Sequence, residues 1–362
     1  MGKIVINISD DIINIVKRFH HLIIKSKNFI VLFIVIFLLS STYDKKYKKY
    51  FHYLRNNKKE NKQINNKKNL KVCICTLGKN ENKYIKEFVK HYKKLGVDKI
   101  YLHDNNDNSE KAEHFENVIS KYIKKDFVEI IDYRGKVAPQ LDIYTECYKK
   151  HKNKFDWVIF FDIDEFIHLK GYDNIKDFLS EKRFNRCKLI YFNCLRHTDN
   201  DLLYYDNRSL STRFPYINWK SRSFTLKTIA RGGIKRISFH TSHWLDRNIT
   251  GCNVLGEEVI PSKKVKLNNN INEPKFKDYY IDHYCFKSTE EYINKINKGD
   301  GIFGFDNETR MHKINLYFDY NRITKDKIKY IERNTGLNLS EFKLKLNENR
   351  TNSKNQPNEK TK

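Results

Sequence analysis

The sequence predicts an α/β domain in which a mainly parallel central sheet is flanked by helices. Three observations predict it. Short apolar runs alternate with helical segments between residues 71 and 161. Polar clusters follow three of those runs, at 78–81, 104–109 and 162–165. The most apolar run, Phe155-Asp-Trp-Val-Ile-Phe-Phe161, leads directly into Asp162-Ile-Asp164. Ligands of parallel sheets bind beyond the carboxyl ends of the strands, so the three clusters point to one site.

Each element has its own signal. Residues 71–77 (KVCICTL) read as a buried strand, with Cys73 and Cys75 on one face. In 82–95, apolar residues at 85, 88, 89, 92 and 95 have helical spacing, and Gly96 ends the helix. A second strand at 98–103 runs into the turn-rich Asp104-Asn-Asn-Asp-Asn-Ser109. A helix at 110–123, a strand at 127–132, a helix at 139–151 opened by Pro139 and a strand at 155–161 complete the alternation. Further strands are expected at 187–193, 224–230, 234–240 and 279–285. Further helices are expected at 174–182, 288–298 and 324–334, with an exposed loop at 260–275.

The domain therefore occupies 71–345. Residues 1–28 form an N-terminal segment, 29–43 a membrane candidate, 44–70 a basic linker and 346–362 a disordered tail. Residues 29–39 are eleven unbroken apolar residues. A span needs about 17–25, reached here by counting from Leu22 with Lys25 and Lys27 snorkelling. A signal-anchor helix is the favoured reading, ahead of a cleaved signal peptide or a core helix. It implies a single-pass membrane protein, type II in the Golgi or endoplasmic reticulum if eukaryotic. Basic residues on both flanks leave a cytoplasmic orientation open.

The formal charge of +26 first suggests nucleic acid. Much of it lies outside the domain: residues 43–71 hold eleven Lys/Arg against Asp44 and Glu60, and the tail 350–362 holds four against Glu359. No recognition motif accompanies it, so no specific nucleic-acid partner is expected. An anionic membrane or a phosphate-bearing substrate accounts for the charge equally well. The seven cysteines include no CxxC pair, which suggests neither a zinc site nor a disulfide framework.

Asp162 and Asp164 carry the chemistry. Carboxylates at the end of an apolar strand cost several kcal/mol to bury unless a cation or hydrogen bonds compensate. A hard divalent ion takes oxygen ligands and bridges the phosphates of a nucleoside diphosphate. A bare DxD is weak evidence. Here Trp-Val-Ile-Phe-Phe precedes it and Glu165-Phe166-Ile167 follows it.

Residues 79–106, opening Lys79-Asn-Glu-Asn and closing His103-Asp-Asn-Asn106, resemble the opening segment of glycosyltransferase family 92 and family 2-like proteins. Asp156-Trp-Val-Ile-Phe-Phe-Asp-Ile-Asp-Glu-Phe166 is similar to their "W....D.DEF" segment. Lys227-Thr-Ile-Ala, Ser238-Phe-His240 and the stretch from Ile281-Asp-His-Tyr to Glu291-Tyr292 resemble later segments, in the same order. Gly232 and Gly233 depart from the pattern, as does the stretch 193–201.

The resemblance implies a GT-A (Rossmann-like) fold with a C-terminal acceptor-side region. It implies a hexosyltransferase that passes a sugar, with galactose a frequent donor, from a UDP-sugar to a glycan acceptor with inversion. Asp162 and Asp164 would hold Mn²⁺ or Mg²⁺, with His240 and His283 competing as a third ligand. Asn80 and Glu81 would lie near the nucleotide. Asp104 would contact base or ribose, or else close an Asx turn. Lys227 and Lys287 would neutralise phosphate. Asp199 and Asp201 are the candidate general bases. The competing class is a non-catalytic glycan- or polyanion-binding protein on a degenerate version of the fold.

Overall fold

The computed structural model describes residues 70–345 apart from 110–113, 138, 219–225, 236, 238, 242–243, 246–248, 250, 260–276 and 298–305. The N-terminal segment, the anchor candidate, the linker as far as residue 69, the tail and the expected loop at 260–275 lie outside the described residues. Among those described, no helix is long and apolar enough to cross a membrane.

Strands β1 (Val72–Gly78), β2 (Lys99–Asp104), β3 (Val128–Asp132) and β4 (Trp157–Phe160) lie in the order β3-β2-β1-β4, all parallel. Helices α1 (Asn82–Lys94), α2 (Phe115–Ile123) and α3 (Gln140–His151) make the crossovers. Alternation along β1 divides the core. Val72 and Ile74 join a cluster with Ile85, Phe88 and Val89 of α1 and with Phe115 and Ile119 of α2. Cys73 and Cys75 face the other way, toward Ile143, Tyr144, Cys147 and Tyr148 of α3. Each fully buried Ile or Phe in these layers contributes about 1.5–3 kcal/mol.

The expectation of a mainly parallel sheet holds for this half only; the whole sheet is mixed. β5 (Glu165–Leu169) follows the acidic motif, and β6 (Leu189–Arg196) comes next. β7 (Leu226–Arg231) runs antiparallel between β4 and β6. Asn193 near the end of β6 faces Leu226 at the start of β7, so the connection leaves and re-enters at one edge without a crossover. β8 (Phe239–Thr241) and β9 (Trp244–Leu245) form a small separate ladder. β10 (Gly251–Asn253) and β11 (Glu258–Val259) extend the main sheet beyond β6. β12 (Tyr279–His283) lies antiparallel to β5 and parallel to β6.

The described helices continue with α4 (Ile175–Leu179), α5 (Leu210–Arg213), α6 (Thr289–Asn297), α7 (Asn307–Tyr320) and α8 (Lys325–Thr335). The last three share their own apolar cluster, built on Phe286, Tyr292, Ile314, Tyr317 and Ile331. Contrary to the cysteine reading, Cys75 is bonded to Cys147 and Cys187 to Cys252. Partners 72 and 65 residues apart leave no spacing signal; only the packing of α3 on β1, and of β10 beside the segment before β6, brings them together.

Candidate active site

Parallel pairing collects the three polar clusters. Gly78 ends β1 opposite Asp104 at the end of β2, and Cys75 faces Phe160 of β4. The first two tips are bonded to each other: Asn105 N–H donates to the Gly78 carbonyl (2.8 Å) and Asn80 N–H to Asn106 Oδ1 (2.6 Å). Gly78 allows close approach here. A Cβ on it would lie 2.6 Å from both Ile163 Cδ1 and Phe115 Cζ.

Beyond β4 the chain turns sharply. Glu165 N–H donates to the Asp162 carbonyl at 3.1 Å, while Asp162 N–H donates to Glu165 Oε2 at 3.0 Å. Ile163 is buried in the core between two acids. Asp162, Asp164 and Glu165 each offer a carboxylate oxygen, all within 4.8 Å of one another.

Neighbouring elements hold this group. From α3, Gln140 Nε2 and Tyr144 Oη donate to Asp162 Oδ1 at 3.1 and 2.9 Å. Thr228 of β7 lies opposite Phe160, which puts Lys227 one step further toward the turn. Its ammonium is fully buried, 2.6 Å from Asp162 and 3.0 Å from Glu165. Lys295 of α6 lies 3.0 Å from Asp164. His283 ends β12 with Nε2 3.6 Å from Asp164 and 3.7 Å from Glu165.

Burial and charge compete at each group. Burial alone would raise the Asp164 carboxyl, but Lys295, His283 and Lys287 hold it well below the usual carboxylate range. Glu165 is pushed up to about 8, mainly by burial, against Lys227 and with the help of Asp162 and Asp164. Burial pulls the His283 imidazole down to about 3, so it is neutral and a competent ligand. Burial works against the Lys227 ammonium, yet Asp162 and Glu165 raise it well above its ordinary value.

The donor chemistry fits a hard divalent cation. Three acids face two ammonium groups, and the surplus falls on a fully buried carboxyl.

Residues 68–271 match the description of glycosyltransferase family 92, more than half of the chain. The chain belongs to glycosyltransferase family 92. It is 29% identical over 106 residues to a family 92 protein of Ricinus communis, and 24% identical over 108 residues to one of Oryza sativa subsp. japonica. These stretches cover 29% and 30% of this chain, and only 18% of each relative's length. A solved structure of Staphylococcus aureus TarS in complex with UDP is 14% identical, with a TM-score of 0.30 and coverage of 45% of this chain and 47% of that one.

In this family 92 chain the other expected residues fall into three groups. Near the first two strand tips, Lys287 Nζ pairs with Glu81 at 2.8 Å and lies 3.8 Å from the centre of the Tyr84 ring. Asn80 and Lys287 both have left-handed backbones (φ 54° and 56°), a costly conformation for a lysine. Asp104 is fully buried: Oδ2 takes Arg134 at 2.9 Å, and Oδ1 accepts the Asn106 N–H of an Asx turn.

Asp199 and Asp201 form a separate group. Asp199 is buried against Lys327 (2.6 Å), the Tyr317 hydroxyl and the Asp201 N–H. Asp201 is more exposed, with Arg322 at 2.8 Å and Lys327 at 2.9 Å. His240 lies on the backbone of β8, and its side chain is outside the described set.

Sequence reasoning missed Gln140, Tyr144, Glu165 as a donor, and Lys295. Lys295 had a misleading signal: it stands four residues after Glu291 on a helix, where a surface ion pair is the ordinary reading. Its partner is instead Asp164, 131 residues away.

Proposed function

We propose that the chain transfers a sugar from a nucleotide-sugar donor, a UDP-sugar foremost, to a glycan acceptor, with a divalent cation held by Asp162, Asp164 and Glu165. The observation that carries this reading is the meeting of the three carboxylates within 4.8 Å, at the tips of strands whose neighbours carry Asn80, Glu81 and Asp104. When bound, Mn²⁺ or Mg²⁺ would neutralise the leaving diphosphate.

The chain's own residues prepare that step. Gln140, Tyr144 and Lys227 fix Asp162 in one orientation. His283 offers a neutral nitrogen beside Asp164. Lys295, on the partly exposed side of Asp164, is placed to exchange that carboxylate for a phosphate. Lys287 and Glu81 form the corresponding pair by the first strand tip. Asp104 keeps Arg134 and the Asn106 turn in place beside the donor nucleoside.

For an inverting transfer, the second acidic pair supplies the acceptor side. Both acids have partners at both oxygens; Asp201, less buried, is the one more open to an acceptor hydroxyl. Tethering of the domain to a membrane through 29–43 completes the proposal.

The test is nucleoside diphosphate release by purified protein across a panel of sugar donors with Mn²⁺. Donor-dependent release that disappears in Asp164→Asn, with the circular dichroism spectrum unchanged, is expected. Glycan binding without release from any donor would favour the non-catalytic alternative.

A further inference from the structure

Glu165 belongs to two donor sets. One is the all-oxygen group with Asp162 and Asp164; the other contains Glu165, Cys194 and His283, whose ligand atoms also lie within 4.8 Å of one another. Three adjacent strands supply it. His283 of β12 lies opposite Glu165 of β5, and Cys194 of β6 lies beside Ile281, two residues before His283.

The side chains are available for it. Cys194 is fully buried and outside both disulfides. His283 Nδ1 is buried without a hydrogen-bond partner. Glu165 is fully buried, and its Oε1 accepts no hydrogen bond, facing the Lys227 ammonium at 3.0 Å.

We propose that Glu165, Cys194 and His283 form a second cation site, selective for a thiophilic divalent ion such as zinc. Thiolate, imidazole and carboxylate make a mixed set that suits zinc and disfavours magnesium. Zinc bonds of about 2.0–2.3 Å require the donors to close by roughly 1 Å, a movement of side chains rather than strands. Asp164, 3.6 Å from His283 Nε2, stands next to the remaining coordination position. On binding, the thiol proton leaves to solvent and a sulfur–metal bond forms. Lys227 keeps Asp162, at 2.6 Å, when it gives up Glu165. Because Glu165 is shared, zinc excludes the hard ion from the oxygen set. The proposal stands on this donor set and not on the transferase reading.

Cobalt(II) titration of the full chain tests it. A near-ultraviolet sulfur-to-cobalt charge-transfer band is expected, abolished in Cys194→Ala and retained in Cys73→Ala and Cys285→Ala. Cobalt binding without that band, or a band that survives Cys194→Ala, overturns the site. X-ray absorption of the zinc-loaded wild-type chain gives a check that needs no variant. A sulfur scatterer at about 2.3 Å is expected, and a shell of nitrogen and oxygen alone refutes it.

Discussion

Asp162-Ile-Asp164 and Asp199-Asn-Asp201 have the same spacing, yet their surroundings balance charge differently. Around the second pair, Lys327 and Arg322 match the two carboxylates, and Tyr317 and the Asp201 amide fill what remains on Asp199. Around the first pair a third acid, Glu165, joins, while the cationic side chains within 3.0 Å are again two. A matched buried group ties elements together: it joins the loop after β6 to α7 and α8. An over-acidic buried group carries a cost that a bound cation would remove. Spacing alone does not tell these apart; the number of neighbouring cations does.

The comparison can be broken first at the matched group. Lys327→Met strands the fully buried Asp199 carboxylate, while Asp201 keeps Arg322, and should cost about 3–5 kcal/mol in urea unfolding. Manganese binding by the variant that folds should be unchanged. Equal stability to wild type would show that the second group is not structural. At the acidic group, Asp164→Asn should lower turnover by about 100-fold or more. Its unfolding free energy should fall by less than in Lys327→Met, because Lys295 is partly exposed and turns to solvent when its partner is removed. A large loss of stability with turnover intact would reverse the two roles.

Acidification sharpens the same contrast. His91, packed edge-on against Phe166, is pulled by burial from 6.5 to about 4. Its folded-state value lies below its unfolded one, so the stability it contributes is complete above pH 6.5 and is lost as pH falls through 4. The loss should reach at most about 3 kcal/mol. His91→Gln should flatten that limb of the stability profile, and an unchanged profile would remove His91 as its cause. Gly78→Ala should have the smallest effect, about 1–3 kcal/mol, as Ile163 and Phe115 give way. Thermal unfolding measures it, and a neutral outcome would mean that the tip of β1 does not press on the acidic turn.

How much was legible follows from the range of each interaction. β1 to β4, α1 and α3 lie within two residues of their expected bounds, because capping, periodicity and apolar runs are local. Helix α7 went unread: Ile314, Leu316, Tyr317, Phe318 and Tyr320 crowd its C-terminal half without a single stripe. The direction of β7 was hidden because Leu226–Arg231 reads the same in either orientation. Within the site, Asp162 and Asp164 were visible through the apolar strand that precedes them. Of the residues gripping them, Lys227 was expected against phosphate rather than against Asp162, and Lys295 is an ordinary lysine in a lysine-rich chain until the fold brings it to 3.0 Å from Asp164.

The Cys75–Cys147 bond has a consequence for the site. Cys147 lies three residues beyond Tyr144 on α3, and Tyr144 holds Asp162. The helix that aims the motif is thus fastened to the central strand by a link made only after synthesis. A freshly translated chain has every site residue but not this brace, so oxidative maturation becomes a step toward competence. Protein produced with its thiols reduced is expected to bind manganese more weakly than the same chain after oxidation, and equal affinity would free the motif from that dependence.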